Sequence, residues 1–278
     1  MQFSSDGTNA TVNSVALVYG GETVDPYDPA ELSHEASKFY PSYLPRQIPG
    51  LAALEADPQL QNSAMRSVKR YPHLPSVPLP AGAFPSAPLG EVLTRRRSRM
   101  RFAPGSIDLD ALTSILRSGY GLTWSAPGTG SKQSFRTAPS AGALYPLDVY
   151  CAAFDVDGLA QGLYHFDPFA HVLERLESGD LRARLADATP MPEPVQTSAC
   201  VLIVTAMFWR TRFKYGQRGF RFALLEAGHL AQNVLLAAEA LDLGCLPLGG
   251  FYDARVDELL RVDGVNQSAL YLLPVGRK

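Results

Sequence analysis

From Ala199 to Met207 the chain runs for nine residues without a charge, and four of them are β-branched. A strand that is apolar on both faces has to be covered on both, so this segment predicts a central buried strand in a layered fold. The neighbouring sequence supplies the layers. Leu147 to Phe154 places Leu147, Val149, Cys151 and Ala153 on one strand face. Gly162 to Phe166 and His171 to Leu176, joined by an Asp167-Pro168 turn, read as a hairpin, and Ala269 to Val275 reads as a closing strand. A helix capped by Ser106 or Asp108 carries Leu109, Leu112, Ile115 and Leu116 inward and stops at Gly119. Phe222 to Leu243 is a long, mostly apolar helix. This order of elements predicts an α+β layer fold rather than regular βαβ repeats.

Proline divides the chain. Residues 1–88 hold 12 of the 22 prolines, which predicts a Pro-rich N-terminal arm followed by a compact domain over 89–278. Within the arm, Asp28 to Tyr43 predicts a short helix with Leu32, Ala36 and Phe39 on one side. Tyr71 to Pro88 predicts an extended, polyproline-like path. Two readings of the arm stand at this point: a segment that wraps a partner surface, or an unstructured leader.

A formal net charge of −2 excludes a broadly basic nucleic-acid-binding surface. Cys151, Cys200 and Cys245 are too scattered for a disulfide framework or a metal-ligand set, which fits a reducing cytoplasm. No signal segment opens the sequence, and the longest uncharged apolar run, Ala199 to Trp209, is too short to span a bilayer. A cytoplasmic protein with no metal, nucleic-acid or membrane partner is expected.

Against this near-neutral background, Arg95 to Phe102 places five arginines within seven positions, with Ser98 among them. Such a run suits a multidentate anion such as a phosphate monoester, or else a solvated helix face. A second informative stretch, Arg136 to Pro146, is a loop of small residues that feeds directly into the strand at Leu147. It lets backbone amides approach a flat ligand closely, or it is an ordinary tight turn. The third, Leu243 to Phe251, crosses a proline and two glycines after a long helix. It either presents a backbone N–H to a ligand or serves as a helix cap and turn. His229, Gln232 and Asn233 partly share a helix face, where such groups more often satisfy backbone than touch ligand. Arg218 and Arg221, with Tyr215, line a substrate entrance, or the two arginines are simply solvated. His165 and His171 flank the hairpin turn with no chemical role expected. Neither a Gly-x-Gly-x-x-Gly nor a Walker sequence occurs.

In this order the segments resemble the nitroreductase superfamily of flavin mononucleotide (FMN) enzymes, over roughly Leu89 to Lys278. The resemblance implies a central mixed, mainly antiparallel sheet flanked by helices, in a homodimer. It also implies FMN phosphate contacts from Arg96, Arg97, Ser98 and Arg277, the last preceded by Gly276. Pro139, Ser140, Ala141 and Gly142 would flank the isoalloxazine ring, with Leu248, Gly249 and Gly250 facing it through backbone. Met100 stands where the family usually has a second basic residue, with Arg99 or Arg101 as the substitute.

Pro-Ser-Ala-Gly-Ala-Leu-Tyr-Pro, Gly-Leu-Tyr-His-Phe-Asp and Glu226 to Asn233 are similar to the SagB-type branch, the azoline oxidases. That likeness implies oxidation of thiazolines and oxazolines to thiazoles and oxazoles on peptide or carrier-bound intermediates. A cyclodehydratase or assembly-line synthetase is then the implied partner. The branch's Lys-Tyr pair is matched by Lys214 and Tyr215, implied as base modulator and base. Aromatisation removes one proton and one hydride, and a free tyrosine, titrating near ~10, needs a neighbouring cation to act as the base. Whether adjacent side chains converge depends on local backbone, which the sequence leaves open. Two other functions fit the same residues: an NAD(P)H-dependent nitro- or quinone-reducing flavoprotein, and a catalytically silent scaffold in a peptide-modifying complex.

Overall fold

The computed structural model describes residues 2–4, 11–13, 18–20, 23, 25–42, 50–65, 68–125 and 134–278. The chain divides into two compact units, Met1–Gln47 and Ile48–Lys278. The larger unit thus takes in residues 48–88, which proline content alone assigns to the arm. In the smaller unit, β1 (Gln2–Ser4) pairs antiparallel with β2 (Thr11–Asn13). Helix α1 (Pro29–Ala36) starts where the Asp28 carboxylate accepts the Ala30 N–H at 2.8 Å. It stops at Ala36, where the Ser37 hydroxyl turns back to the His34 carbonyl. It buries none of its residues, and residue 43 lies outside the described residues.

The larger unit opens with α2 (Gly50–Ala56) and α3 (Pro58–Met65). Strand β3 (Ser76–Pro78) and helix α4 (Leu89–Arg95) follow. Next come β4 (Ile107–Asp108), α5 (Leu109–Tyr120), β5 (Leu122–Ser125) and β6 (Ser134–Arg136). The middle of the unit is β7 (Leu147–Ala153), β8 (Val156–Asp157), β9 (Gly162–Asp167) and β10 (Val172–Ser178). Two short helices, α6 (Arg182–Ala186) and α7 (Glu193–Thr197), lead into β11 (Cys200–Met207). The chain closes with α8 (Trp209–Tyr215), α9 (Arg218–Ala240), β12 (Leu243–Cys245), α10 (Asp253–Leu260) and β13 (Gln267–Arg277).

Seven strands form one sheet in the order β12-β13-β11-β7-β9-β10-β3. Every strand pairing within it is antiparallel, and among the described strands β4 and β8 form a parallel pair. The uncharged run is the centre of the sheet, as its two-sided apolarity requires. On β11, Leu202 and Val204 face a core built with α5 and α9, and Val201 and Ile203 face a second core built with α6, α7 and α10. The fold is the α+β arrangement anticipated from element order.

Differences from the sequence reading have local causes. Asp108, not Ser106, caps α5 by accepting the Ala111 N–H at 2.6 Å, while Ser106 donates to Asp157. Part of the proline-rich 71–88 stretch is a strand, because Val77 pairs with Leu173 and Pro78 with Val172. A sheet edge is where proline is tolerated, since only one side of the strand needs donors.

Candidate active site

The arginine run wraps one end of the sheet. Ser98 bridges the outer edge of β12 at Cys245, and Arg99 N–H donates to the Cys245 carbonyl at 3.2 Å. Ala103 then pairs with Arg277 on the other edge of β13. Between them Phe102 lies across the cross-strand glycine pair Gly244 and Gly276. A Cβ on Gly276 would come 2.9 Å from the Phe102 side chain, so the two glycines form the bed of this ring.

Most of the five guanidiniums have structural partners. Arg95 faces Glu239 at 3.5 Å and Arg101 pairs with Glu193. Arg97 donates to the carbonyls of Thr94 and Arg96, each at 2.8 Å, closing the end of α4. Arg96 and Ser98 lie side by side, with Nη1 3.5 Å from the hydroxyl, and Met100 is 48% exposed. The Arg277 guanidinium lies over Gly105, lining a cavity of about 370 Å³ with Ser106, Asp108 and Asp110.

The second cluster lies at the opposite end of β7. The Pro139–Gly142 loop runs through a single 3-10 turn, Ala141–Ala143, and Gly142, Ala143 and Tyr145 all have positive φ. The Ser140 hydroxyl accepts the Tyr145 N–H at 2.9 Å, and Tyr145 Oη accepts the Arg136 N–H at 3.0 Å. Helix α8 is tied to the same end of β7. Arg210 bonds Asp148 at 2.9 Å and reaches the Pro146 carbonyl. Burial would raise the Asp148 carboxyl, but Arg210 and His165 hold it well below the usual carboxylate range.

Lys214 and Tyr215 close α8 and converge. A Cβ on Gly142 would lie 2.5 Å from Tyr215 Oη and 2.9 Å from Lys214 Nζ. The ammonium sits 5.1 Å from the centre of the tyrosine ring. Glycine is required at 142 both for its φ of +61° and for this close approach. A helix end, not a strand, is what lets two consecutive side chains meet. Above them Leu54 of α2 and Ala64 of α3 pack with Leu144, Phe213 and Tyr215. The two helices therefore roof the pair, which sequence reasoning missed because their apolar residues look like those of any short helix.

Leu248 is a core residue, 1% exposed, and its N–H and carbonyl are both taken by Leu272. Its backbone is thus committed within the sheet, and the exposed part of that stretch is Gly249 and Gly250. His229 and Gln232 are exposed on α9, whereas Asn233 lines a cavity of about 430 Å³ with Val92 and Thr137. His171 bonds the Pro80 carbonyl at 2.7 Å.

His165 is fully buried, with Nδ1 2.9 Å from Glu174 and Nε2 3.9 Å from Asp148. Burial disfavours its charge, but Asp148 and Glu174 together outweigh that and raise its pKa. Among the described residues no group of His, Cys, Asp and Glu could hold a metal ion, and no helix is long and apolar enough to cross a membrane.

The two clusters are far apart within one chain. Cys245 is level, through Val275 and Cys200, with Ala153, while the loop enters β7 at Leu147. Six residues of strand separate these levels, roughly 20 Å at ~3.3 Å per residue. Helix α9 gives a second ruler. Glu239 meets Arg95 near one end and Glu226 faces Ser140 near the other, again roughly 20 Å apart at ~1.5 Å per residue.

Residues 93–277 match the Nitroreductase family. This chain belongs to that family. It is 38% identical over 190 residues to MJ1384 of Methanocaldococcus jannaschii, a protein named for the nitroreductases, covering 68% of this chain and 91% of that one. It is 28% identical to the microcin B17-processing protein McbC of Escherichia coli, over 50% of this chain and 53% of McbC. With the trifolitoxin-processing protein TfxB of Rhizobium leguminosarum bv. trifolii it shares 27%, over 63% of this chain and 48% of TfxB. The chain thus spans about half the length of these two peptide-processing relatives. Among solved structures, a nitroreductase-family protein from Anabaena variabilis superposes with a TM-score of 0.63 at 26% identity, over 74% of this chain and 42% of that one. A chain of the E. coli microcin synthetase McbBCD complex, with truncated pro-MccB17 bound, superposes with a TM-score of 0.55 at 23% identity. That match covers 96% of this chain and 98% of the other, and shows the shared fold.

Proposed function

We propose that this protein is an FMN-dependent oxidoreductase that oxidises thiazoline or oxazoline rings to thiazoles or oxazoles on a peptide or carrier-bound intermediate. The observation that carries the reading is the convergence of Lys214 Nζ and Tyr215 Oη on Gly142. Tyr215 takes the ring Cα proton as its bond to carbon breaks, with the Lys214 ammonium beside it as its modulator. FMN, when bound, supplies the hydride acceptor. Leu54 of α2 and Ala64 of α3 pack with Leu144 beside the half-buried Tyr215 and cover part of its ring.

The residues present fit FMN. Arg96 and Ser98 offer a guanidinium and a hydroxyl to the phosphate, with Arg97 behind them at the end of α4; the Arg277 guanidinium, which lies over Gly105, would have to turn from there to join them. Pro139, Ser140, Ala141 and Gly142, and the exposed Gly249 and Gly250 beside Leu248, offer flat backbone surfaces to a ring. The loop cluster stands roughly 20 Å from Arg96 and Ser98, which favours a homodimer in which each flavin is held by one face from each copy. The relatives named for microcin and trifolitoxin processing favour a peptide substrate; a cyclodehydratase or synthetase partner and a cytoplasmic location complete the proposal.

The relative with 38% identity, named for the nitroreductases, favours a second reading: reduction of nitro or quinone compounds with NAD(P)H. Single-turnover flavin spectroscopy separates the two. Azoline bleaching the bound flavin supports the first reading. Bleaching by NAD(P)H at a turnover-competent rate, with none by azoline, replaces it with the second.

A further inference from the structure

Asp148 is the second residue of β7 and is 2% exposed. Its Oδ1 accepts donors from two segments far apart in the chain: Arg210 Nη1 of α8 at 2.9 Å and the Lys69 N–H at 3.3 Å. Arg210 also reaches the Pro146 carbonyl at 3.5 Å, where the loop passes into the strand. Lys69 follows the end of α3 at Met65, and its ammonium bonds Gln267 Oε1 at 2.9 Å. Gln267 Nε2 in turn lies 3.5 Å from Asp148 Oδ2. Tyr71 continues this strap across the sheet. Its N–H donates to Glu174 at 2.9 Å, and its hydroxyl lies 3.2 Å from that of Tyr150. Against burial, which would raise it, Arg210 and His165 keep the Asp148 carboxyl ionised.

A buried ion pair is weak evidence of stability, because taking two charges out of water offsets most of their attraction. What such a pair supplies is direction. Arg210 stands one turn before Lys214 on α8, so the two residues share a face of the helix. With Arg210 bound at the head of β7, α8 cannot turn about its axis without breaking the pair. Lys214 and the next residue, Tyr215, are thereby aimed at Gly142, on the loop that enters the same strand. We propose that Asp148 is a positioning residue for Lys214 and Tyr215: through Arg210 it fixes the rotation of α8, and through the Lys69 N–H it ties the segment that follows the roof helices to the same strand. The groups facing its carboxylate are Arg210 from α8, His165 from β9, Gln267 from β13 and the Lys69 backbone.

This role rests on the reading that Tyr215 acts on an azoline, but its first test needs no substrate. Hydrogen–deuterium exchange of the full-length protein over residues 208–216 is compared for wild type, Arg210→Gln, and Asp148→Asn combined with Arg210→Met. The combined variant removes the tether, keeps an acceptor for the Lys69 N–H and leaves no uncompensated charge. Amides of residues 230–240 report that each variant is folded. Both variants are expected to exchange about tenfold faster over 208–216, with 230–240 unchanged. In turnover with azoline both should lose about tenfold in kcat with KM within about twofold. Arg210→Lys, which puts a cation back beside the carboxylate, should recover most of the rate lost in Arg210→Gln. Wild-type exchange over 208–216 in either folded variant overturns the proposal, as does a wild-type kcat in both. Arg210→Gln decides it should the combined variant fail to fold. A wild-type protein that never turns over azoline, while exchange in the variants responds as expected, refutes the proposed reaction and leaves the tether intact.

Discussion

The two ends of the sheet present polar groups in opposite ways. At the β12–β13 end five arginines crowd seven positions, yet Arg95, Arg97 and Arg101 are bound to Glu239, to helix carbonyls and to Glu193. The local charge density overstates what is free to bind. At the β7 end Lys214 and Tyr215 project onto the loop, and loop, α8 and the α2–α3 pair meet around them. One end reads as a binding face made by a contiguous segment. The other reads as a reaction face made by distant segments over a buried polar base.

If that division is right, substitutions at the two ends should separate chemistry from cofactor affinity. The largest effect belongs to Tyr215→Phe, which removes the proton acceptor and leaves the packing against Phe222. Azoline turnover should fall by about 10²–10⁴-fold, with flavin affinity unchanged in an absorbance titration. An equal loss of both would merge the two faces into one. Replacing Arg96 and Ser98 together by alanine should do the reverse. It removes a charge-assisted contact and weakens flavin binding by about 10–100-fold, with turnover at saturating flavin nearly retained. Phe102→Ala tests whether the arginine run is placed by its aromatic anchor. Emptying the site over Gly244 and Gly276 should cost about 3–5 kcal/mol in denaturant unfolding.

The smallest effect concerns His165, buried between Glu174 and Asp148. Its raised pKa stabilises the fold fully below ~6.5, its unfolded value, and that stability is lost as pH rises through the folded value. The unfolding midpoint should therefore fall across neutral pH, and His165→Gln should flatten that slope. An unchanged slope would show that His165 is neutral in the native protein.

Much of the fold was legible because period and charge carry it. The uncharged Ala199–Met207 run became the central strand, and the alternation from Leu147 to Ala153 became one face of β7. The Lys-Tyr pair was visible only through a resemblance, since nothing in consecutive side chains says that they converge. Their meeting depends on α8 ending at Gly216, whose φ is +55°, and on a glycine facing them 73 positions before Tyr215 in the chain. Glu226 entered the sequence reading as the start of a branch-like segment, and its hydrogen bond with Tyr120 of α5 is visible only in the structure. Leu248, named through the family resemblance, is held by Leu272 because an isolated bridge extends the sheet there. Such partners are set by strand register between distant segments, which local sequence does not encode.

The central claim is that each site joins the arginine face of one copy to the loop face of another. Subunit mixing tests it directly. Protein carrying Arg96→Ala with Ser98→Ala and protein carrying Tyr215→Phe are each prepared and assayed at limiting flavin, where both are nearly inactive. They are then unfolded, mixed in equal amounts and refolded. A composite site predicts recovery to about a quarter of wild-type activity, because half the dimers are mixed and each restores one of two sites. No recovery, with mixed dimers demonstrated by tagged subunits, would mean that both faces act within a single chain and would contradict the claim.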